Sequence, residues 1–263
     1  MAAKPTTALK IEKLIDRPEH LKVLAYGESG VGKTVFAASA PRPILWLESE
    51  GGTQSIGNKT DIDIARVTNL DSYREALVYL QANPGKYQTV VLDSFSESMA
   101  AVLSEIMGRV VQLDEARDEY SPNFPEWQKL TGVGREIARA FRDLPMNVVI
   151  TALAREDKDD LTGKIKVRPK MTPALADDLP TFMDAVIYLY AATVKKGEVD
   201  KDGVTPDDDG ATIVRNGLIR PTGKYAAKVR APKGSNPTDF IADPDFAKVA
   251  AIVFPRPIKA AKA

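Results

Sequence analysis

The chain alternates short apolar runs with longer segments whose apolar residues recur at helical spacing. Runs at residues 21–26, 44–47, 62–67, 89–93 and 146–152 are typical of buried or half-buried strands. With the segments between them, they predict the order β-α-β-β-α-β-α-α-β through residue 152. Because buried strands separated by helices form parallel sheets, we expect an α/β fold with helices on both faces of a mainly parallel sheet.

Turn and cap signals refine this plan. Asn216-Gly217 lies between two short apolar runs and predicts a hairpin turn, which would add antiparallel strands at one edge of the sheet. The helix after the third strand is predicted to open on Ser72, with Glu75 at capping-box spacing. It should end before Asn83-Pro84-Gly85.

Composition divides the chain into three regions. Residues 1–19 are polar and predict an N-terminal arm, and residues 20–230 carry the strand and helix pattern of the core. Residues 231–263 predict a C-terminal extension, with a short helix near 244–253 followed by a flexible tail rich in Pro, Lys and Ala.

One motif carries a specific chemistry. The first apolar run leads into Gly27-Glu28-Ser29-Gly30-Val31-Gly32-Lys33-Thr34, which fills every fixed position of the P-loop pattern between a strand and a helix. Backbone N–H groups of such a loop surround a phosphate chain. Lys33 would reach the β- and γ-phosphates, and the Thr34 hydroxyl would hold Mg²⁺. We therefore predict ATP with Mg²⁺, bound by Gly27, Glu28, Ser29, Gly30, Val31, Gly32, Lys33, Thr34 and Val35.

Carboxylates follow two of the other predicted strands. Glu48 and Glu50 come directly after residues 44–47, and Asp93 ends the run at 89–93. Because the carboxyl ends of parallel strands line the ligand crevice, these groups should face the phosphates. Asp93 has the form of a Walker B aspartate beside Mg²⁺. One of the two glutamates is a candidate general base for the attacking water, although a solvated acidic turn would have the same sequence.

A charged segment at 155–170 follows the fifth predicted strand. Thr162-Gly163 predicts a hairpin turn within it, and Lys164, Lys166 and Arg168 alternate with apolar residues. In an extended arm these three cations would share one face. That face is a candidate DNA-contacting surface, and a solvated hairpin is the equally weighted alternative.

Overall composition limits the classes of function. The 263 residues contain 36 Lys plus Arg and 36 Asp plus Glu, so no global field draws the chain to nucleic acid or membrane. There is no cysteine, which excludes disulfides and thiolate metal sites. The single histidine, His20, has no evident catalytic partner. We see no signal peptide or membrane anchor and expect a cytoplasmic protein.

From residue 21 to about 230 the pattern resembles RecA-like phage nucleotide-binding proteins, single-domain ATPases related to recombinases. Leu47-Glu48-Ser49-Glu50 is similar to the RecA-family segment whose last acidic residue activates water, which favours Glu50 over Glu48 as the base. Val90-Val91-Leu92-Asp93-Ser94 matches the Walker B strand. The segment after Ala152 falls where RecA-like proteins place a DNA-binding loop. RecA has a glutamine near the end of this strand, whereas this chain has Thr151-Ala152-Leu153.

The resemblance implies an Mg²⁺-dependent ATPase that binds single-stranded DNA in recombination or single-strand annealing, in the host cytoplasm if a phage encodes it. It also implies a homo-oligomeric ring or filament, with a single-strand binding protein as a possible partner. Lys224, Lys228 and Arg230 resemble the late Lys/Arg segment that acts in trans on a neighbouring subunit. A solvated basic strand is the alternative for this cluster.

Two other functions stay open at this point. One is a nucleotide-gated structural or regulatory protein that acts through a protein partner and hydrolyses ATP slowly. The other is a small-molecule kinase, which would usually need an Arg-bearing lid that the sequence does not clearly supply.

Overall fold

The computed structural model describes residues 19–57, 60–158, 162–195, 211–233, 235 and 237–255. Almost all of the predicted N-terminal arm, the Asp- and Gly-rich segment at 197–210 and the predicted tail from residue 256 lie outside these ranges.

The described residues form ten strands and six α-helices. The strands are β1 (Lys22–Gly27), β2 (Ile44–Glu48), β3 (Ile62–Arg66), β4 (Thr89–Asp93), β5 (Asn147–Lys158), β6 (Ile165–Pro169), β7 (Ala185–Lys195), β8 (Ala211–Leu218), β9 (Lys228–Val229) and β10 (Phe240–Ala242). The helices are α1 (Lys33–Ala38), α2 (Leu70–Ala82), α3 (Phe95–Leu113), α4 (Phe124–Arg142), α5 (Pro173–Phe182) and α6 (Phe246–Val253), with a 3₁₀ helix at Gly52–Ile56. The predicted order of strands and α-helices through β5 is confirmed.

The strands form one mixed sheet in the order β10-β8-β7-β1-β5-β4-β2-β3. The six strands from β7 to β3 in this order are parallel. β8 and β10 are antiparallel and close one edge, while β6 and β9 pair antiparallel with β5 and β7. The carboxyl ends of β1, β2, β4 and β5 therefore meet at one edge of the sheet, where ligands of such folds bind.

Two apolar cores cover the two faces of the sheet. Buried residues of α2, α3, α4 and α5 pack on one face, together with Leu24, Leu92 and Ile150 of the central strands. Residues of α1 and α6 pack on the other face with Val23, Trp46 and other strand residues. This arrangement confirms the predicted parallel sheet with helices on both faces, and the alternation of side chains along each strand explains it.

The prediction of a hairpin turn at Asn216-Gly217 is wrong, although the predicted antiparallel strands at this edge of the sheet are confirmed. Both residues lie inside β8, where they pair with Tyr190 and Leu189 of β7. A side chain at Gly217 would come within 2.9 Å of Ile187 and 3.1 Å of Pro244. The glycine therefore permits close packing on its neighbours rather than a turn.

The predicted start of α2 is also wrong by three residues. Asn69 is the N-cap, since its side chain accepts a hydrogen bond of 2.8 Å from the backbone N–H of Ser72. Ser72 supplies the reciprocal acceptor of this capping box, the part predicted for Glu75. The predicted end before Pro84 is confirmed.

The segment after residue 230 contributes to the core that also contains α1. β10 pairs with β8, and α6 begins after Asp245, whose side chain caps it by accepting from the backbone N–H of Lys248. The predicted helix near 244–253 is confirmed, and its Phe246, Val249 and Val253 are buried beside α1.

Candidate functional site

The predicted P-loop connects β1 to α1 at the carboxyl edge of the sheet. Gly30 and Gly32 have φ of 81° and 94°, the left-handed region that glycine adopts at little cost. Gly27 lies so close to β7 that a Cβ there would be 2.3 Å from the carbonyl oxygen of Leu189. The motif's glycines are thus required both by the turn and by the packing of the loop against the sheet.

Lys33 begins α1 and folds back over the loop. Its Nζ donates to the carbonyl oxygens of Gly27 at 3.1 Å and Glu28 at 2.7 Å. Burial lowers the pKa of Lys33, and the nearby carboxylates of Asp93, Glu50 and Glu28 oppose this shift. The ammonium is therefore positioned at the P-loop, within an acidic surrounding.

Thr34 and Asp93, predicted as the Mg²⁺ ligands, are brought together. The Thr34 hydroxyl donates to Asp93 Oδ2 at 3.2 Å, and the fully buried Thr151 donates to Asp93 Oδ1. Burial raises the pKa of Asp93, and the hydrogen bonds from Thr151 and Thr34 oppose that rise. Gly52 has no side chain that could cover the Thr34–Asp93 pair. A Cβ there would be 3.7 Å from the Thr34 hydroxyl.

The donor set suits a cation that is shared with a phosphate ligand. Among the described residues there is no group of three or more His, Cys, Asp or Glu side chains that could hold a metal alone. One carboxylate and one hydroxyl are oxygen donors of the kind that Mg²⁺ takes while keeping substrate phosphates and waters in its remaining positions. The residues present therefore fit Mg²⁺ that is also bound by phosphate oxygens better than a metal ion held by the protein alone.

The two glutamates after β2 have different environments. Glu48 is buried, and its Oε1 accepts hydrogen bonds from the Thr53 hydroxyl at 2.6 Å and the Thr53 backbone N–H at 3.2 Å. Glu50 is exposed, and Ser94, directly after Asp93, donates to its Oε1 at 2.5 Å. Glu48 therefore stabilises the 3₁₀ helix, while Glu50 stands beside Asp93 with access to solvent.

A buried serine network behind these groups escapes sequence reasoning. The Ser98 hydroxyl donates to the Ser94 carbonyl at 2.9 Å, lies 2.7 Å from the Ser49 hydroxyl and also hydrogen-bonds Tyr73. Ser96 accepts from the backbone N–H of Leu153 at 3.0 Å. The network connects the strand ends of β2 and β5 to the start of α3. Its only sequence signal is the serine at every second position from 94 to 98.

The predicted basic hairpin forms from the far half of β5 and β6, which pair from Ala154 to Lys158. Lys164 and Lys166 are exposed. Arg168 is not free, because it forms salt bridges of 2.7 Å with both Asp157 and Asp177. Lys164 and Lys166 are thus available at the surface, whereas Arg168 is held by two carboxylates.

The late cations are each bound within their own chain. Lys224 lies 3.3 Å from Glu156. Lys228 Nζ donates to the carbonyls of Pro180 and Met183, both at 2.9 Å. Arg230 pairs with Asp184 at 3.1 Å.

Neither a continuous strand nor a helix joins these three cations. β9 spans only Lys228 and Val229, and it pairs with the start of β7. The start of β7 is level with the start of β1, so Lys228 and Arg230 lie at the edge of the sheet opposite the P-loop.

The fold and the site together define a P-loop protein with a RecA-like fold, in which the P-loop and a carboxylate-ended strand lie side by side in a mainly parallel sheet. Residues 19–231 match the family model described as "AAA domain" (AAA_24), and the chain belongs to this family.

Comparison with solved structures also returns matches. One match is a KaiC-like protein from the hyperthermophilic archaeon Pyrococcus horikoshii OT3, with 17% identity, a TM-score of 0.40 and coverage of 86% of this chain and 91% of that chain. A search of curated proteins returns no match. Within the described segments, no helix combines the length and apolar character needed to cross a bilayer.

Proposed function

We propose that this chain binds MgATP and hydrolyses it, and that single-stranded DNA is its macromolecular ligand. The observation that carries the first part is the convergence of Lys33, the Thr34–Asp93 pair and Glu50 at one edge of the sheet. These groups come from α1, β4 and the end of β2, so the fold itself assembles the site.

Each group has a distinct part in the proposed reaction. Lys33 neutralises charge on the β- and γ-phosphates, and Thr34 and Asp93 would hold Mg²⁺, which supplies further charge neutralisation when bound. Glu50 orients the attacking water and takes its proton. The hydrogen bond from Ser94 fixes the Glu50 carboxylate near Asp93. Fixed charges of this kind need no reorganisation as the transition state forms.

Replacement of each glutamate by glutamine tests the assignment of the base. Glu50→Gln should lower turnover by about 10²- to 10⁴-fold while ATP binding persists, because general-base catalysis is lost and the shape is kept. Glu48→Gln is the matched control, since Glu48 is buried against Thr53. It should lower thermal stability and leave turnover per folded molecule near that of the native chain. The reverse result would place the base on Glu48.

The proposed DNA contact lies on the β5–β6 hairpin. The exposed Lys166 lines a groove of about 260 Å³ with Lys224 and Tyr225. The Tyr225 ring stacks on Tyr188 with centroids 4.5 Å apart, and Tyr188 stacks on Tyr190 at 5.9 Å. Cations beside aromatic rings suit a single strand, whose phosphates and bases require both. This combination favours a single-stranded nucleic acid over a protein partner.

Salt dependence of binding tests this contact. Replacing both Lys164 and Lys166 by Ala should weaken binding to oligo(dT) and lower the slope of log K against log salt by up to ~1.4, about 0.7 per lost phosphate contact. The control is Lys86→Ala/Lys129→Ala, which removes two exposed lysines away from the hairpin. An unchanged slope in the hairpin variant would remove the DNA assignment. An ATPase rate indifferent to single-stranded DNA would favour a nucleotide-gated regulatory protein instead.

We also propose a homo-oligomer as the active form, in which a neighbour's cations complete the site. Lys228 and Arg230 bind carbonyls and a carboxylate of their own chain, so their replacement should first lower stability. A role for these cations in a neighbouring subunit predicts a further result. Mixing Lys228→Ala/Arg230→Ala subunits with Glu50→Gln subunits should restore hydrolysis, and co-assembled mixtures no more active than their parents would exclude it.

A further inference from the structure

The side chain of Arg215, in β8, lies against the P-loop. If a Cβ were added to Gly32, it would be 3.2 Å from both Cδ and Nη1 of Arg215 and 3.7 Å from Nε. Gly32 directly precedes Lys33. The guanidinium therefore lies against the residue that precedes Lys33, the lysine that the proposed function assigns to the phosphates.

Strand register explains this position. Arg215 pairs with Ala191 of β7, two residues beyond Leu189, which is level with Gly27 at the end of β1. Alternation along β8 puts Arg215 on the same face as Gly217, which packs on Ile187 in the core beside α1. Arg215 thus projects on the α1 side of the sheet, just beyond the strand end from which the P-loop begins.

The backbone of Arg215 is anchored by a hydrogen bond. Its carbonyl accepts a hydrogen bond of 2.8 Å from the backbone N–H of Asp243, which joins β8 to the end of β10. Its side chain is exposed, and no hydrogen bond or salt bridge joins the guanidinium to any other residue in the described part of the chain. Other arginines, such as Arg168 and Arg230, are paired with carboxylates.

We infer that Arg215 is a catalytic arginine supplied in cis, whose guanidinium binds the β- and γ-phosphate oxygens of the nucleotide on the P-loop. This inference rests on the proposed ATPase function. A guanidinium is always charged and presents several donors in a plane, which suits two phosphate oxygens at once. Such an arginine could not be recognised from the sequence, because β8 is far from the P-loop along the chain.

The role follows from where charge develops during hydrolysis. The water oxygen bonds to the γ-phosphorus, the bond from that phosphorus to the β–γ bridging oxygen breaks, and the electron pair stays on ADP. The water proton passes to Glu50 and then to solvent, and inorganic phosphate leaves. Arg215 donates to the oxygens on which negative charge grows, so its removal should slow the chemical step more than it weakens ADP binding.

Single-turnover hydrolysis by Arg215→Ala and Arg215→Lys tests the inference. Arg215→Ala should reduce the rate at least ~10²-fold, the loss typical of one oriented donor, and leave ADP affinity within a few-fold. Arg215→Lys should recover part of the rate. Free guanidinium ion should partly restore Arg215→Ala, a rescue that a merely structural role would not permit. The control is Ile213→Ala, which changes an exposed residue two positions away on the same strand face.

Failure of the inference and failure of the proposed function give different results. If Arg215→Ala hydrolyses ATP at the native rate while Lys33→Ala is inactive, the ATPase stands and the role of Arg215 is overturned. If the native chain binds nucleotide without hydrolysing it, Arg215→Ala must still weaken ATP relative to ADP, and equal losses would overturn the inference. If the native chain binds no nucleotide, both proposals fail.

Discussion

Lys22 is a buried cation whose proton should couple stability to pH. It lies at the start of β1, with 9% of its surface exposed, and its Nζ donates to the carbonyl of Leu144 at 2.7 Å and to that of Met146. Burial lowers the pKa of Lys22 from 10.5 to about 8, against the opposing attraction of Asp184 and Asp143.

The sign of the effect follows from the two pKa values. Below pH 8 Lys22 is charged in both states, so the cost of burying its charge is present in full. Between pH 8 and 10.5 the folded protein releases the proton while the unfolded chain keeps it, and stability therefore rises with pH. Each pH unit is worth ~1.4 kcal/mol, so the gain from pH 7.0 to about 9.5 is ~2 kcal/mol.

Lys22→Met isolates this contribution. The variant leaves two carbonyls without their donor, at a cost of about 1–3 kcal/mol each that does not depend on pH. The free energy of unfolding of the native chain, relative to the variant, should rise by ~2 kcal/mol between pH 7.0 and 9.5. Urea titration followed by the fluorescence of the fully buried Trp46 measures it.

Lys129→Met, which replaces an exposed lysine of α4, is the control for the loss of one cation. A difference between native chain and Lys22→Met that is constant across this pH range, or that falls, would refute the reasoning.

Two substitutions test the packing and hydrogen bonding of the site. Gly27→Ala should destabilise the fold by about 1–3 kcal/mol or more, because its Cβ would meet a β7 carbonyl at 2.3 Å. Gly132→Ala is the control, since Gly132 lies in a helix with open space around it. In the same urea titration this variant should be neutral or stabilising by up to ~1 kcal/mol. Thr151→Val removes a donor to Asp93 and should raise the Mg²⁺ concentration needed for half-maximal hydrolysis, whereas Thr89→Val, which loses a bond to a backbone carbonyl at the other end of β4, should not. Destabilisation by Gly132→Ala equal to that by Gly27→Ala, or an unchanged Mg²⁺ requirement in Thr151→Val, would contradict these assignments.

Local patterns were sufficient for the parallel part of the sheet and for the P-loop. Apolar runs and helical spacing are short-range signals, and they predicted the order of strands and α-helices through β5. The P-loop residues are contiguous, so the sequence motif alone was sufficient to identify them. Asp93 was predicted because a buried strand ending in a carboxylate is itself a local pattern.

Features that depend on distant contacts could not be predicted in this way. Asn216-Gly217 has the sequence of a turn, but Gly217 serves packing against Ile187. From the sequence Arg168 is expected to be a free surface cation, because its partners Asp157 and Asp177 are identified only by the fold. Arg215 gave no signal at all, since its neighbour Gly32 comes from the other end of the chain.

The central claim is that the P-loop edge of the sheet is a MgATP site, and calorimetric titration of ATP tests it most directly. We predict that the native chain binds ATP in the presence of Mg²⁺ and binds it more weakly in EDTA. Lys33→Ala should lose this binding while keeping its fold, because the hydrogen bonds of Lys33 Nζ to described residues go to two carbonyls of its own loop. Lys129→Ala should bind as the native chain does. Unchanged MgATP affinity in a folded Lys33→Ala variant would contradict the account.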